Sequence, residues 1–167
     1  MGRLLRSMLE PVAAGPVRSL DKPLRDSELD RVIPSADLVL LAVPLPALDE
    51  VLRRLAPRLA PTTLLADIAS VKTRPLELML RAHQGPVAGT HPLFGPDPDP
   101  GTARRIAVVP GRCEHALHEL EGLLAAGGMQ PLRTDAAAHD RSMAYIHGLN
   151  FATSVSFLAA SSLQPDL

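Results

Sequence analysis

Aromatic side chains are almost missing from this sequence, which has one Tyr, three Phe and no Trp in 167 residues. Leu, Val, Ile and Ala must therefore fill whatever core it builds. Cysteine is nearly as scarce, and the single Cys113 excludes both an internal disulfide and a zinc site built on paired thiolates. An excess of charge is missing too: 17 Lys and Arg stand against 18 Asp and Glu, scattered rather than clustered. That leaves no electrostatic footprint for nucleic acid or an anionic membrane, and neither is expected as a partner. No run approaches the roughly 18 apolar residues of a membrane span, and "MGRLLRSMLEPV" is too short and too interrupted by Arg to be a signal peptide. A soluble, cytoplasmic protein is expected. The 46% of hydrophobic and 21% of charged residues are ordinary globular composition, enough for one domain plus a partial further element.

Against these absences stands a regular alternation. Strand-length apolar runs occur at Val17 to Leu20, Asp37 to Val43 ("DLVLLAV"), Thr63 to Ile68, Pro86 to Thr90, Arg105 to Val109 and, more weakly, Gln130 to Arg133. Between them, apolar residues recur three and four apart, at Leu48, Val51, Leu52 and Leu55; at Leu76, Met79 and Leu80; and at Ala116, Leu117, Leu120, Leu123 and Leu124. Strand, helix, strand at this spacing predicts crossover units on a mostly parallel sheet. "DLVLLAV" is apolar on both faces, so helices are expected on both sides and the sheet is read as doubly wound. Gly85 and the Gly127, Gly128 pair mark helix ends. The Ala-rich and Ser-rich stretch from Ala136 to Ser162 predicts a helix leaving the sheet, and Pro96 to Pro100 predicts an irregular loop.

Ligands of such sheets bind beyond the carboxyl ends of the strands. The residues at those exits are Asp21, then Val43 and Pro44, then Asp67 to Lys72 ("DIASVK"), then Thr90 and His91. Pro92 biases His91 toward an extended backbone, so its imidazole is aimed by the chain, and an ordinary pKa near 6.5 suits it to accept a proton from a substrate hydroxyl. The plainer reading of a His-Pro pair is a turn residue. Ser70 either caps the helix that tolerates Pro75 in its first turn or places a hydroxyl in the ligand crevice; taken alone, capping is the commoner role. Lys72 either offers a cation to a carboxylate or is a surface lysine. "MGRLLRSML" is helical in pattern and opens on Gly2, and Asp21 follows at the distance where dinucleotide folds place the acid that binds the adenosine ribose.

Taken together, "DIASVKTRPLELMLRAHQGPVAGTHPLFGPD", Asp67 to Asp97, resembles the prephenate dehydrogenase family, with its "SVK" followed by "HPxFGP". The segment from His139 to Thr153 is similar to that family's "EHD…MA" helix, and "MGRLLRSML" to the end of its glycine loop and first helix. The resemblance implies a Rossmann-like domain and an NAD-dependent oxidative decarboxylation of prephenate to 4-hydroxyphenylpyruvate in tyrosine biosynthesis, with no metal. It gives His91 the proton of the ring hydroxyl and Ser70 a hydrogen bond near that hydroxyl. It sets Thr90, Pro96, Asp97, Lys72 and His147 about the substrate, and Gly2, Asp21, Val43, Pro44, Asp67 and Ser70 about NAD. Asp21 favours NAD over NADP because a carboxylate repels a 2′-phosphate.

The departures are as specific. The family's first strand and first two glycines are not in the sequence, so Val17 to Leu20 is expected to lose a neighbour and a cofactor pyrophosphate most of its cradle. The helical C-terminal domain that supplies dimer contacts and the arginine for the substrate carboxylate is not there either. The expectation is a chain cut at both ends: residues 1–135 form an incomplete dinucleotide-binding domain, and 136–167 begin a helical domain through which a complete version would form a homodimer. The alternatives are an arogenate dehydrogenase, another small-acid dehydrogenase on the same sheet, and a non-catalytic remnant or interaction domain that keeps the fold.

Overall fold

The computed structural model describes residues 1–99 and 101–162. Pro100 of the expected loop and residues 163–167 of the expected helical segment lie outside the described residues. The chain opens with helix α1 (Gly2–Leu9) and, after a long coil, helix α2 (Asp26–Val32). Three strands follow, β1 (Leu38–Leu41), β2 (Leu64–Asp67) and β3 (Val87–Pro92), joined by helices α3 (Leu45–Leu55) and α4 (Thr73–Ala82). They pair in parallel, Leu38 beside Leu64 and Leu65 beside Val87. Strand β4 (Arg105–Arg112) runs antiparallel to β3, and β5 (Gln130–Arg133), reached through helix α5 (Glu114–Ala126), runs parallel to β4. The sheet order is β1-β2-β3-β4-β5, and helix α6 (Ala136–Ser162) leaves it.

Side chains alternate across a strand, and here both faces are covered. Leu64 and Ala66 of β2 join Leu5 and Leu9 of α1 and Leu117, Leu120 and Leu124 of α5 in one core. Leu65, the residue between, joins Leu48, Val51, Leu52 and Leu55 of α3 and Met79 of α4 in the other. The three-and-four spacing in α3 is thus one buried stripe. Burying each such side chain is worth about 1.5–3 kcal/mol, so that stripe outweighs the exposed Arg53–Asp49 pair on the same helix, which belongs to a class worth about 0–1 kcal/mol. The doubly wound, mostly parallel architecture expected from the sequence is the one observed.

One expectation is corrected. Val17 to Leu20 forms no strand but lies in coil, because no described strand offers it a partner and four residues cannot satisfy a ladder alone. The step from β3 to β4 runs through the segment where the sequence predicts an irregular loop. The described residues from Leu93 to Arg104 contain no helix, and a connection without a crossover returns the chain antiparallel. That pairing also lengthens β3 beyond Thr90, with His91 opposite Ala107 and Pro92 opposite Ile106. Helix α2 gave no sequence signal, since it buries only Leu29; Arg54 and Arg58 fasten it through Asp26 and Asp30.

Helix α6 differs from the rest. At a rise of 1.5 Å per residue its 27 residues extend about 40 Å. His139 is its one buried residue, and every residue from Ala144 to Ser162 is exposed, Tyr145 and Phe151 among them at 74% and 72%.

Candidate active site

Because β1, β2 and β3 are parallel, their carboxyl ends share one edge, and the segments that leave them meet there. The first carries Val43, half-buried, and Pro44, the N-cap residue of α3. The start of α1 lies against this segment: a β-carbon added to Gly2 would come 3.0 Å from Cβ of Ala42, so the missing side chain permits the contact. The second segment carries the exposed Ser70 and the third His91. A helix N-terminus with no side-chain cap, pressed against the carboxyl edge through a glycine, suits the phosphate of a dinucleotide.

His91 is held by the strand ladder and by a second histidine. Its Nδ1 lies 3.0 Å from His139 Nε2, the rings meeting edge to face at 76°. His139 Nδ1 lies 2.9 Å from Asp140 Oδ1. Asp140 in turn accepts hydrogen bonds from the backbone N–H groups of Lys72, at 2.6 Å, and Thr73, at 2.9 Å, which open α4. Burial opposes the Asp140 charge, but the hydrogen bonds from His139, Thr73 and Lys72 outweigh it and hold the carboxyl well below the usual range. His91 is pushed down to about 4 by burial first, then by His139, Lys72 and His147, with Asp140 opposing.

Beneath this layer is a buried ion pair. Lys72 is fully enclosed, and its Nζ reaches both oxygens of Asp67 at 2.7 Å and the carbonyl of Thr90 at 2.6 Å. An ammonium has three donors and finds three acceptors here, so the charged form is the one that fits. Burial pushes Asp67 up and Lys72 down, and each opposes that shift in the other. Asp67 also accepts from Ala69 N, and Thr90 Oγ1 donates to the carbonyl of Asp67. Gly89 makes room: a β-carbon there would stand 3.1 Å from Cδ of Lys72.

Several expectations change with this geometry. Lys72 is neither a surface lysine nor a free cation for a substrate, because the carboxylate it meets is Asp67. Asp67 and Thr90 spend their polar atoms inward and are too buried to touch a ligand. Ser70 does not cap α4; Asp140, 67 and 68 residues away from the amides it binds, does so instead. Asp21 ends no strand and lies exposed in coil beside Lys22. Pro96 and Asp97 are exposed in the loop after β3, and His147 is exposed on α6, with its charge felt at His91. The sequence alone assigns no role to His139 and Asp140. Their adjacent "HD" was the one available signal, and only the packing of α6 on α4 gives it meaning.

Residues 18–105 match the family model for the nucleotide-binding domain of prephenate dehydrogenase. The chain belongs to the prephenate dehydrogenase family. It is similar to the T-protein of Enterobacter agglomerans, 37% identical over 155 residues that cover 92% of this chain and 40% of that protein. The chain spans less than half the length of the curated relatives it matches. Among solved structures, Synechocystis arogenate dehydrogenase superposes with a TM-score of 0.70 at 24% identity, covering 83% of this chain and 52% of that one. Prephenate dehydrogenase from A. aeolicus in complex with hydroxyphenyl propionate and NAD+ gives 0.67 at 15% identity, over 95% and 57%. At these identities the two likenesses show the fold. Membership of the prephenate dehydrogenase family, with its nucleotide-binding domain, agrees with the resemblance read from "SVK" and "HPLFGPD".

Proposed function

We propose that this chain is the cofactor-binding part of an NAD-dependent dehydrogenase that converts prephenate to 4-hydroxyphenylpyruvate, with His91 as the proton acceptor and Ser70 beside it. The observation that carries the reading is the half-buried His91 at the carboxyl edge, pushed down to about 4 and therefore neutral at pH 7. The family match and the complex of the A. aeolicus prephenate dehydrogenase with NAD+ support the cofactor.

Held along Gly2, Val43 and Pro44, NAD would supply the acceptor for the hydride that leaves the ring carbon bearing the hydroxyl. His91 takes the hydroxyl proton as the carbonyl forms. The carbon–carboxylate bond then breaks, carbon dioxide departs, and its electron pair passes through the ring to make an aromatic phenolate. The phenolate recovers the proton from His91, so no net proton is consumed. Positioning and one proton acceptor are all the chain must supply. The exposed Ser70 hydroxyl suits a hydrogen bond to the reacting oxygen, while Pro96, Asp97 and His147 border the substrate. Gly2, Val43 and Pro44 line the cofactor side, where α1 meets the end of β1.

In the same reading, residues 1–135 form the dinucleotide-binding unit and 136–167 begin a helical unit through which the complete protein forms a homodimer in the cytoplasm. Among the described residues no helix is long and apolar enough to cross a membrane. The test is NADH formation by the complete protein with prephenate and, separately, with arogenate. Turnover of prephenate is expected; turnover of arogenate alone would move the assignment to that substrate, and turnover of neither would overturn it.

A further inference from the structure

We propose that Asp140 and His139 are positioning residues that fix His91 in its Nδ1–H form and so keep the lone pair on Nε2 free. The amides of Lys72 and Thr73 donate to the two oxygens of Asp140, and an ionised carboxylate only accepts. The ring nitrogen 2.9 Å from Oδ1 must then be a donor, which puts a proton on His139 Nδ1. A neutral imidazole has one N–H, so His139 Nε2 is an acceptor. His91 Nδ1, 3.0 Å away, can only be the donor in that bond. Its proton is thereby assigned, and the hydrogen bond found for the His91 ring among the described residues is the one through Nδ1, not Nε2.

The rival arrangement has a doubly protonated His139 donating to His91 Nδ1, which would place the His91 proton on Nε2 and remove its ability to act as a base. The groups around His91 decide against it in the resting protein. From α6 it is faced by His139, Asp140 and His147, and from the segment before α4 by Lys72, whose ammonium is paired with Asp67. Asp67 already neutralises the Lys72 ammonium, and an imidazolium between the two rings would be desolvated at the buried His139 and stand near Lys72. Protonation is different when it arrives at Nε2 from outside. The Nδ1 proton can then move toward His139 Nε2, which brings the positive charge next to the Asp140 carboxylate.

The positioning role rests on reading His91 as the proton acceptor, but the tautomer can be measured without NAD or substrate. Long-range proton–nitrogen correlation spectra of the histidine rings, recorded on the full chain near pH 8, separate a bare ring nitrogen from a protonated one. His91 and His139 are both expected to show Nδ1 protonated and Nε2 bare; a protonated Nε2 on His91 would overturn the proposal. In His139→Phe, with dispersed amide resonances showing that it is folded, His91 loses its acceptor and is expected to revert to the Nε2–H form. Retention of Nδ1–H there would equally refute the role of His139. Expected tautomers together with a complete protein that turns over neither prephenate nor arogenate would leave this inference standing and sink the functional reading.

Discussion

Burial, His139, Lys72 and His147 together carry His91 down to about 4, and this sets the pH behaviour of any reaction it serves. Since the working form is neutral, kcat/KM of the complete protein is expected to rise with pH through about 4 and to stay level across neutrality, where an unperturbed imidazole would give an acid limb near 6.5. The sign for stability is the same: the unfolded chain binds the proton more readily, so falling pH between 6.5 and about 4 destabilises the fold. His91→Asn is expected to lower turnover by about 10²–10⁴-fold, the usual contribution of a general base, while NAD affinity measured by titration stays within about twofold. Equal turnover would remove His91 from the mechanism. At this scale the sequence was uneven. The placement of His91 and Ser70 could be read from local chain, a strand exit with a proline and a strand exit before a helix. Lys72 could not, because a lysine is exposed by default and its burial depends on Gly89, on the far side of α4 in the chain.

Elements were legible where a period repeated. Helix α3 announced itself by four apolar residues, and the same four are buried. The orientation of β4 was not, since it follows from the lack of a helix after β3 rather than from any residue in β4. What joins these elements is the buried pair between β2 and the residue that opens α4. Lys72→Met is expected to cost about 3–5 kcal/mol in urea unfolding, because it leaves the Asp67 carboxylate enclosed without its cation. Adding Asp67→Asn should recover much of that loss; if the double variant is no more stable than the single one, the unpaired charge is not the cause. Gly89→Val places branched carbons where Lys72 Cδ and Val109 Cβ already stand, and a drop in Tm is the expected readout.

For the whole molecule, two surfaces are unusual. The outer edge of β1 has no strand partner among the described residues, and beyond Ala144 helix α6 carries Tyr145, Ile146, Leu149, Phe151, Phe157 and Leu158 into solvent. Apolar surface of that extent is normally covered. Sedimentation of the purified chain is expected to show concentration-dependent association that Phe151→Glu with Phe157→Glu abolishes, with the urea midpoint unchanged because neither ring packs on the core. Monomeric behaviour of the unmodified chain at all concentrations would contradict this. The sequence predicted a helix leaving the sheet, but not that its first turn reaches back to the site; that needs a contact between residues 68 apart. This contact has a mechanical consequence. Asp140 grips α4 while its neighbour grips His91, through hydrogen bonds of 2.6 to 3.0 Å that tolerate little stretching. The root of the long helix is therefore a lever seated on His91. Whatever binds the far end and tilts the shaft must also change the readiness of His91, and by reciprocity a ligand that engages His91 must stiffen the shaft.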